Sequence, residues 1–192
     1  MKERPILLNA EMVRAVLDGR KTQTRRILTP RQLKMIDAAA SIGECYPLEF
    51  GHQHENSQSY YREWCPFGAV GDRLWVRETW ARYNIDQDTH DIAYRATTPD
   101  DWPKEGRWRP SIHMPRWASR ITLEITGVRV ERLKCISEED ARAEGAPTEC
   151  CVIGDKHFLG FRTLWRSIYG EESWQANPFV WVIEFKRVEG EA

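Results

Sequence analysis

No run of apolar residues in this 192-residue chain approaches the roughly 18 that a bilayer-crossing helix needs. The opening Met1-Lys2-Glu3-Arg4-Pro5 is charged and the apolar stretch after it is brief, so neither a signal peptide nor a membrane partner is expected. Cysteine is sparse, five at scattered positions, an odd number that makes no disulfide framework. Reduced thiols and a cytoplasmic setting follow as expectations. A large net charge is missing too, since 28 basic residues face 29 acidic ones. Any attraction for anions must therefore be local. Repeats and low-complexity segments are absent, and residues 1–192 read as one domain.

Acid is also missing locally. Between Gly19 and Lys34 there are six basic residues, Arg20, Lys21, Arg25, Arg26, Arg31 and Lys34, and not one Asp or Glu. Such a segment attracts anions, of which nucleotides and RNA are the commonest offered to a protein. It also holds the lysine Lys21 and the hydroxyls of Thr22 and Thr24, groups able to do nucleophilic chemistry. Tryptophan is abundant, with nine in the chain. Trp75, Trp165 and Trp181 lie in apolar-patterned segments and read as core. Trp102, Trp108 and Trp117 are interleaved with Lys104, Arg107, Arg109, Arg116 and Arg120, which suits packing and base stacking equally.

The pattern predicts a strand over residues 6–8 and then a helix. Asn9 would cap that helix, Met12, Val13, Val16 and Leu17 would form its apolar face, and Gly19 would stop it. The basic motif then begins on a turn or extended segment. Residues 40–68 read as an irregular insertion, and 84–117 as a second insertion with a strand near residues 92–95 and four prolines after it. Alternation predicts strands over residues 73–80, 121–133 and 179–185, with a bend at Gly127 in the second of them. Ser137 should cap a short acidic helix that carries Asp140 and ends at Gly145. Phe158, Phe161, Leu164, Trp165 and Ile168 mark another helix, closed by Gly170. Several strands with few helices imply a mostly β (α+β) fold, a small and mainly antiparallel barrel with peripheral helices and long loop insertions.

Gly19, Lys21, Thr24 and Arg26 resemble the signature of the ASCH family: glycine, any residue, lysine, two of any, often glutamate, any, arginine. That resemblance implies a PUA-like fold and an RNA- or nucleotide-associated role. Thr24 stands where many members carry glutamate. In this it is similar to the small bacterial ASCH amidohydrolases that deacylate acetylcytidine with a lysine, a threonine and a glutamate. By that likeness Lys21, Thr24 and Glu144, on the short acidic helix, are the catalytic candidates. The segments Cys65-Pro66-Phe67-Gly68, residues 71–78 and residues 109–117 resemble phage or prophage ASCH proteins. Arg20, Arg25, Arg26, Arg77, Glu78, Trp80, Arg116 and Trp117 are the candidates for holding a modified nucleoside, a nucleotide or single-stranded RNA.

Thr24 needs a base, and Lys21 serves only if its pKa falls toward neutrality. Arg20, Arg25, Arg26 and burial push it down, whereas the end of the preceding helix pushes it up by less. On a flat strand Lys21 and Thr24 would face opposite ways, so a turn or bulge is required between them. A binding module without turnover and a ribonuclease are the alternatives to a deacylase. Cys45, His52, His54 and Cys65 could together hold zinc, but no tight Cys-x-x-Cys pair is present, and neither metal nor cofactor is assigned.

Overall fold

The structure, a computed structural model, describes residues 1–83, 91–148 and 156–188. The chain opens with strand β1 (Glu3–Leu7) and helix α1 (Ala10–Leu17), where the Asn9 side chain accepts from the Met12 amide as an N-cap. The basic motif then runs into β2 (Gln23–Ile27). Helix α2 (Pro30–Ser41) starts on a Thr29/Gln32 capping box with proline at its first turn. Short helices α3 (Leu48–Gly51) and α4 (Glu55–Glu63) precede β3 (Arg73–Arg77), β4 (Trp80–Tyr83) and β5 (Asp91–Tyr94). Strand β6 (Thr122–Arg132) leads to α5 (Glu138–Ala143), and α6 (Lys156–Tyr169) and α7 (Glu171–Ala176) lead to β7 (Phe179–Arg187).

Strand β7 is apolar on both faces because both are covered. Trp181, Ile183 and Phe185 join the main core with Val13, Leu74, Leu123 and Ile125, while Val180 and Val182 pack with Leu133, Ala141, Phe161 and Trp165 under α5 and α6. Each aliphatic or aromatic side chain buried there contributes about 1.5–3 kcal/mol. The sheet order is β1-β3-β6-β7-β2, with β4 and β5 forming a separate hairpin. Three pairs are antiparallel and β1/β3 is parallel. The register of β6 on β7 shifts between Ile125 and Gly127, which is the bend the glycine signals.

The expected mostly β barrel with few helices needs correction: among the described residues seven helices accompany seven strands, and the five-stranded sheet is mixed and does not close. Its edge strands β1 and β2 nevertheless approach, and Arg26 Nη2 on β2 donates to the Leu7 carbonyl on β1 at 2.6 Å. One guanidinium spans the gap where a barrel would have a ladder.

The 40–68 segment also differs from its reading as an irregular loop, since it contains α3 and α4. The cause is tertiary. The Gln58 amide accepts from Val130 N–H at 2.9 Å and donates to Val130 O at 2.6 Å, while Arg62 Nε donates to Val128 O at 2.8 Å. Side chains of α4 thus finish the open edge of β6, and a helix of low propensity is held by the partner it completes. Residues 99–117 are irregular apart from two short 3₁₀ turns, Ser111–His113 and Arg116–Ala118.

Gly160, inside α6, lets the Pro147 carbonyl approach: an added Cβ would sit well inside contact distance of that oxygen. Glycine to alanine within a helix normally stabilises. Here Gly160→Ala should instead destabilise by about 1–3 kcal/mol, through overpacking against backbone. A shift of the urea midpoint to higher concentration would reject this.

Candidate functional site

Lys21 leaves α1 by hydrogen bonding its amide to Ala15 O at 2.9 Å, then forms an isolated antiparallel bridge with Glu144, the C-cap of α5. The Thr22 amide donates to Ala143 O at 2.8 Å. A glycine permits this crossing. Gly145 has φ 73°, and a Cβ there would lie 2.9 Å from the Cβ atoms of both Ala15 and Lys21. The short acidic helix is thereby fastened directly onto the basic motif.

The Lys21 ammonium is buried and uses all three of its donors: Gln23 O at 2.7 Å, Glu144 O at 2.9 Å and Glu144 Oε2 at 2.8 Å. Glu144 Oε1 in turn accepts from Arg25 Nη1 at 3.1 Å. Arg25 Nη1 also reaches Gln23 Oε1 at 3.0 Å, and its Nη2 reaches Glu131 at 2.5 Å and Asp140 at 3.1 Å. Arg129 extends the network to Glu131, Asp140 and Glu184. Lys21, Arg25 and Arg129 thus face four carboxylates, Glu131, Asp140, Glu144 and Glu184. Two of the six basic residues of the motif, Lys21 and Arg25, are thus spent inside the protein. Arg20, Arg31 and Lys34 are exposed, and Arg20 pairs with Asp18 at 3.0 Å.

Burial lowers the Lys21 pKa below its ordinary value and outweighs the charge and hydrogen bond of Glu144, while Arg26 and Arg25 push it the same way as burial. Burial would raise the Asp140 carboxyl, but Arg25, Gln23 and Arg129 outweigh it and hold the group below the usual carboxylate range. A carboxylate with a depressed folded pKa stabilises above its unfolded value, about 3.9 for Asp, and that support is lost as pH falls through the folded value. Asp140→Asn should therefore lose less stability than the wild type on going from pH 6 to pH 3 in paired urea titrations. Equal losses would show that the network does not hold this proton off.

Thr24 behaves differently from its neighbours. Phe185 N–H donates to Thr22 O at 2.9 Å and Leu28 N–H to Phe179 O at 3.0 Å, so the backbone groups of even-numbered β2 residues face β7. Those of Gln23, Arg25 and Ile27 face the open edge. On that edge Lys21 covers the Gln23 carbonyl, and Arg26 Nη1 lies 3.5 Å from the Arg25 carbonyl. The Gln23 and Arg25 side chains share the network face, and alternation turns Thr24 from it. Its Oγ1 is buried and has no hydrogen-bond partner among the described residues.

Thr24 and Glu144 both line a small inner pocket of about 10 Å³, walled by Met12, Arg26, Phe161 and Tyr169. That is about the least space one water needs. Met12, Arg26, Ile168 and Tyr169 also border an outer cleft of about 530 Å³, which continues past Leu7 and Leu8 to Thr79 and Ser111. A further cleft of about 580 Å³ is lined by Arg20, Thr22, Arg142 and His157. It balances two guanidinium groups with Asp18 and Glu139 and contains no unpartnered buried side-chain atom, so the Thr24 side is the stronger candidate.

The structure therefore joins Lys21 to Glu144 and puts Thr24 and Glu144 around one pocket. Lys21 makes no hydrogen bond to Thr24. Among the binding candidates, Arg26 reaches the cleft and Arg20 is exposed, but Arg25 is turned inward. Glu78 is buried in a two-point pair with Arg120, and Trp80 is 2% exposed. Arg77 stacks on Trp75 and donates to Met114 O, while Arg116 pairs with Glu3. Trp117 is 53% exposed, with the Arg82 guanidinium 4.5 Å from its ring centre.

Sequence reasoning missed Gln23 and Glu131 as network members, and Met12, Ile168 and Tyr169 as cleft walls. The spacing of residues 21, 23 and 25 was the available signal for Gln23; nothing local to the motif points to Glu131, 106 positions from Arg25. Among the described residues no three His, Cys, Asp or Glu side chains gather at metal-binding spacing. In the Cys45, His52, His54 and Cys65 set, the His52 ring contacts Leu48 O and Cys65 is buried. Cys150 and Cys151 lie outside the described residues. No helix among those residues is long and apolar enough to cross a membrane.

No protein-family model matches the sequence, and no curated protein matches it. Among solved structures, the ASCH domain from Lactobacillus crispatus JV V101 matches over 97% of this chain and 79% of that one, at 14% identity and a TM-score of 0.42. A superposition that loose carries no argument about fold or chemistry.

Proposed function

We infer that the protein is an ASCH-type, PUA-like domain that binds an acylated cytosine nucleoside or nucleotide in the cleft between α1, β2 and α6, and hydrolyses its amide. The observation that carries this reading is the Thr24 hydroxyl, buried and unpartnered in a pocket it shares with Glu144. A buried hydroxyl without a partner costs about 1–3 kcal/mol. A ligand or a reaction is one account of a group kept at that cost.

Glu144 holds Lys21 at 2.8 Å, close enough for the ammonium to pass it a proton in a site that disfavours charge. The neutral amine takes the hydroxyl proton by relay through Glu144, which it contacts, and a water in the pocket that Thr24 and Glu144 share. Thr24 Oγ1 attacks the acyl carbonyl carbon. The bond from that carbon to the exocyclic nitrogen breaks as Lys21 returns the proton to the leaving amine. Water then adds to the threonine ester, and its cleavage frees the carboxylic acid and restores the hydroxyl. Arg26, half-buried at the border of pocket and cleft, would meet the ligand's polar edge.

One observation favours a second reading, a nucleotide-binding module without turnover: every donor of Lys21 is already engaged. The assay is release of free acid from N4-acylcytidines by purified protein. Turnover supports the hydrolase, and its absence across several acyl groups, with binding retained, leaves the module. Binding led by phosphates should weaken steeply with salt, whereas recognition of a base and an acyl group should not.

A further inference from the structure

The outer cleft has walls of an unusual kind for a site that is meant to meet a nucleotide. Leu7, Leu8, Met12 and Ile168 line it, and among the described residues the one charged side chain in its lining is Arg26. Two of these apolar walls are also open to solvent, Leu7 at 46% and Ile168 at 42% exposed, and Ile112, beside the lining residue Ser111, is 58% exposed. Large apolar side chains gathered around a concave site mark a surface that awaits an apolar group. An acetyl group is a single methyl beyond its carbonyl and would cover little of this wall.

We propose that this cleft selects substrates whose acyl chain is apolar and longer than acetyl, with Leu7, Met12 and Ile168 as the chain-binding wall. The proposal rests on the deacylase reading for its reaction, but the wall exists whether or not turnover occurs. With the acyl carbonyl near the border formed by Met12, Arg26, Ile168 and Tyr169, the chain lies outward along the apolar lining. Each methylene that leaves water against it should favour binding about fourfold.

The test uses N4-acetyl-, N4-butyryl- and N4-hexanoylcytidine with the wild-type chain, measuring kcat/KM by acid release and affinity by calorimetry. Both quantities should rise with chain length, by about fourfold per buried methylene. Leu7→Ser and Ile168→Ser should flatten the rise. Ile42→Ser, at a residue 76% exposed on the C-cap of α2 and outside the cleft lining, should not. If acetylcytidine is turned over as well as or better than the longer substrates, the apolar wall has no role and the proposal falls while the deacylase stands. If nothing is turned over yet affinity climbs with length, the hydrolytic reading falls and the apolar subsite stands. Flat affinity without turnover overturns both.

Discussion

Glu144→Ala should destabilise the protein by about 3–5 kcal/mol, the largest loss expected from any single replacement in the charge network. One carboxylate serves two cations there: Oε2 meets the Lys21 ammonium at 2.8 Å and Oε1 meets Arg25 at 3.1 Å, and both cation side chains are fully buried. Removing it strands a lysine that water cannot reach. Arg25 is less exposed to the loss because Glu131 and Asp140 still hold it. This asymmetry makes the prediction specific. Lys21→Met removes the stranded charge itself, so combining it with Glu144→Ala should cost clearly less than the two separate losses added together. Urea unfolding of the two single variants and the double variant gives the coupling directly. A loss below about 1 kcal/mol for Glu144→Ala would mean that the pair is solvated like a surface bridge, and the buried site described above would not exist in solution.

Much of this arrangement was open to sequence reading, and the rest was hidden for a physical reason. The helix starts at Asn9 and Ser137 were legible because a cap is a local event, settled by a side chain and an amide three residues on. Strands β6 and β7 were legible from their composition and alternation. Lys21 and Glu144 were named together only through a family resemblance. They are 123 positions apart, and no local pattern pairs them.

Two of the misses share one character: side chains standing in for a missing strand. Gln58 pairs with both backbone groups of Val130 across 72 positions, so a polar segment that looked irregular is a helix. Arg26 bridges two sheet edges, so a sheet that looked closable stays open. Arg25 read as a ligand-facing cation because its partners, Glu131, Asp140 and Glu144, all lie more than 100 positions away. A basic motif in sequence is a count of charges, whereas a basic surface is what remains after the fold has paired them.

Thr24→Val should raise stability and remove turnover together. Valine keeps the branched shape of threonine and replaces a hydroxyl that has no partner with a methyl that needs none. If the hydroxyl is unsatisfied in the resting protein, the exchange relieves its desolvation and should stabilise by about 1–2 kcal/mol. An ordinary structural threonine gives the opposite sign, because valine would then break a bond. With the nucleophile gone, release of acid from an acylcytidine should fall by about 10³-fold or more. Affinity for the same compound should stay within a few-fold, since the cleft walls are untouched. A gain in stability with full loss of turnover is the signature of a site that holds its nucleophile at a cost. Retained turnover in Thr24→Val would remove Thr24 from the chemistry. A drop in stability would show that the hydroxyl is bonded in solution and was never poised for a ligand.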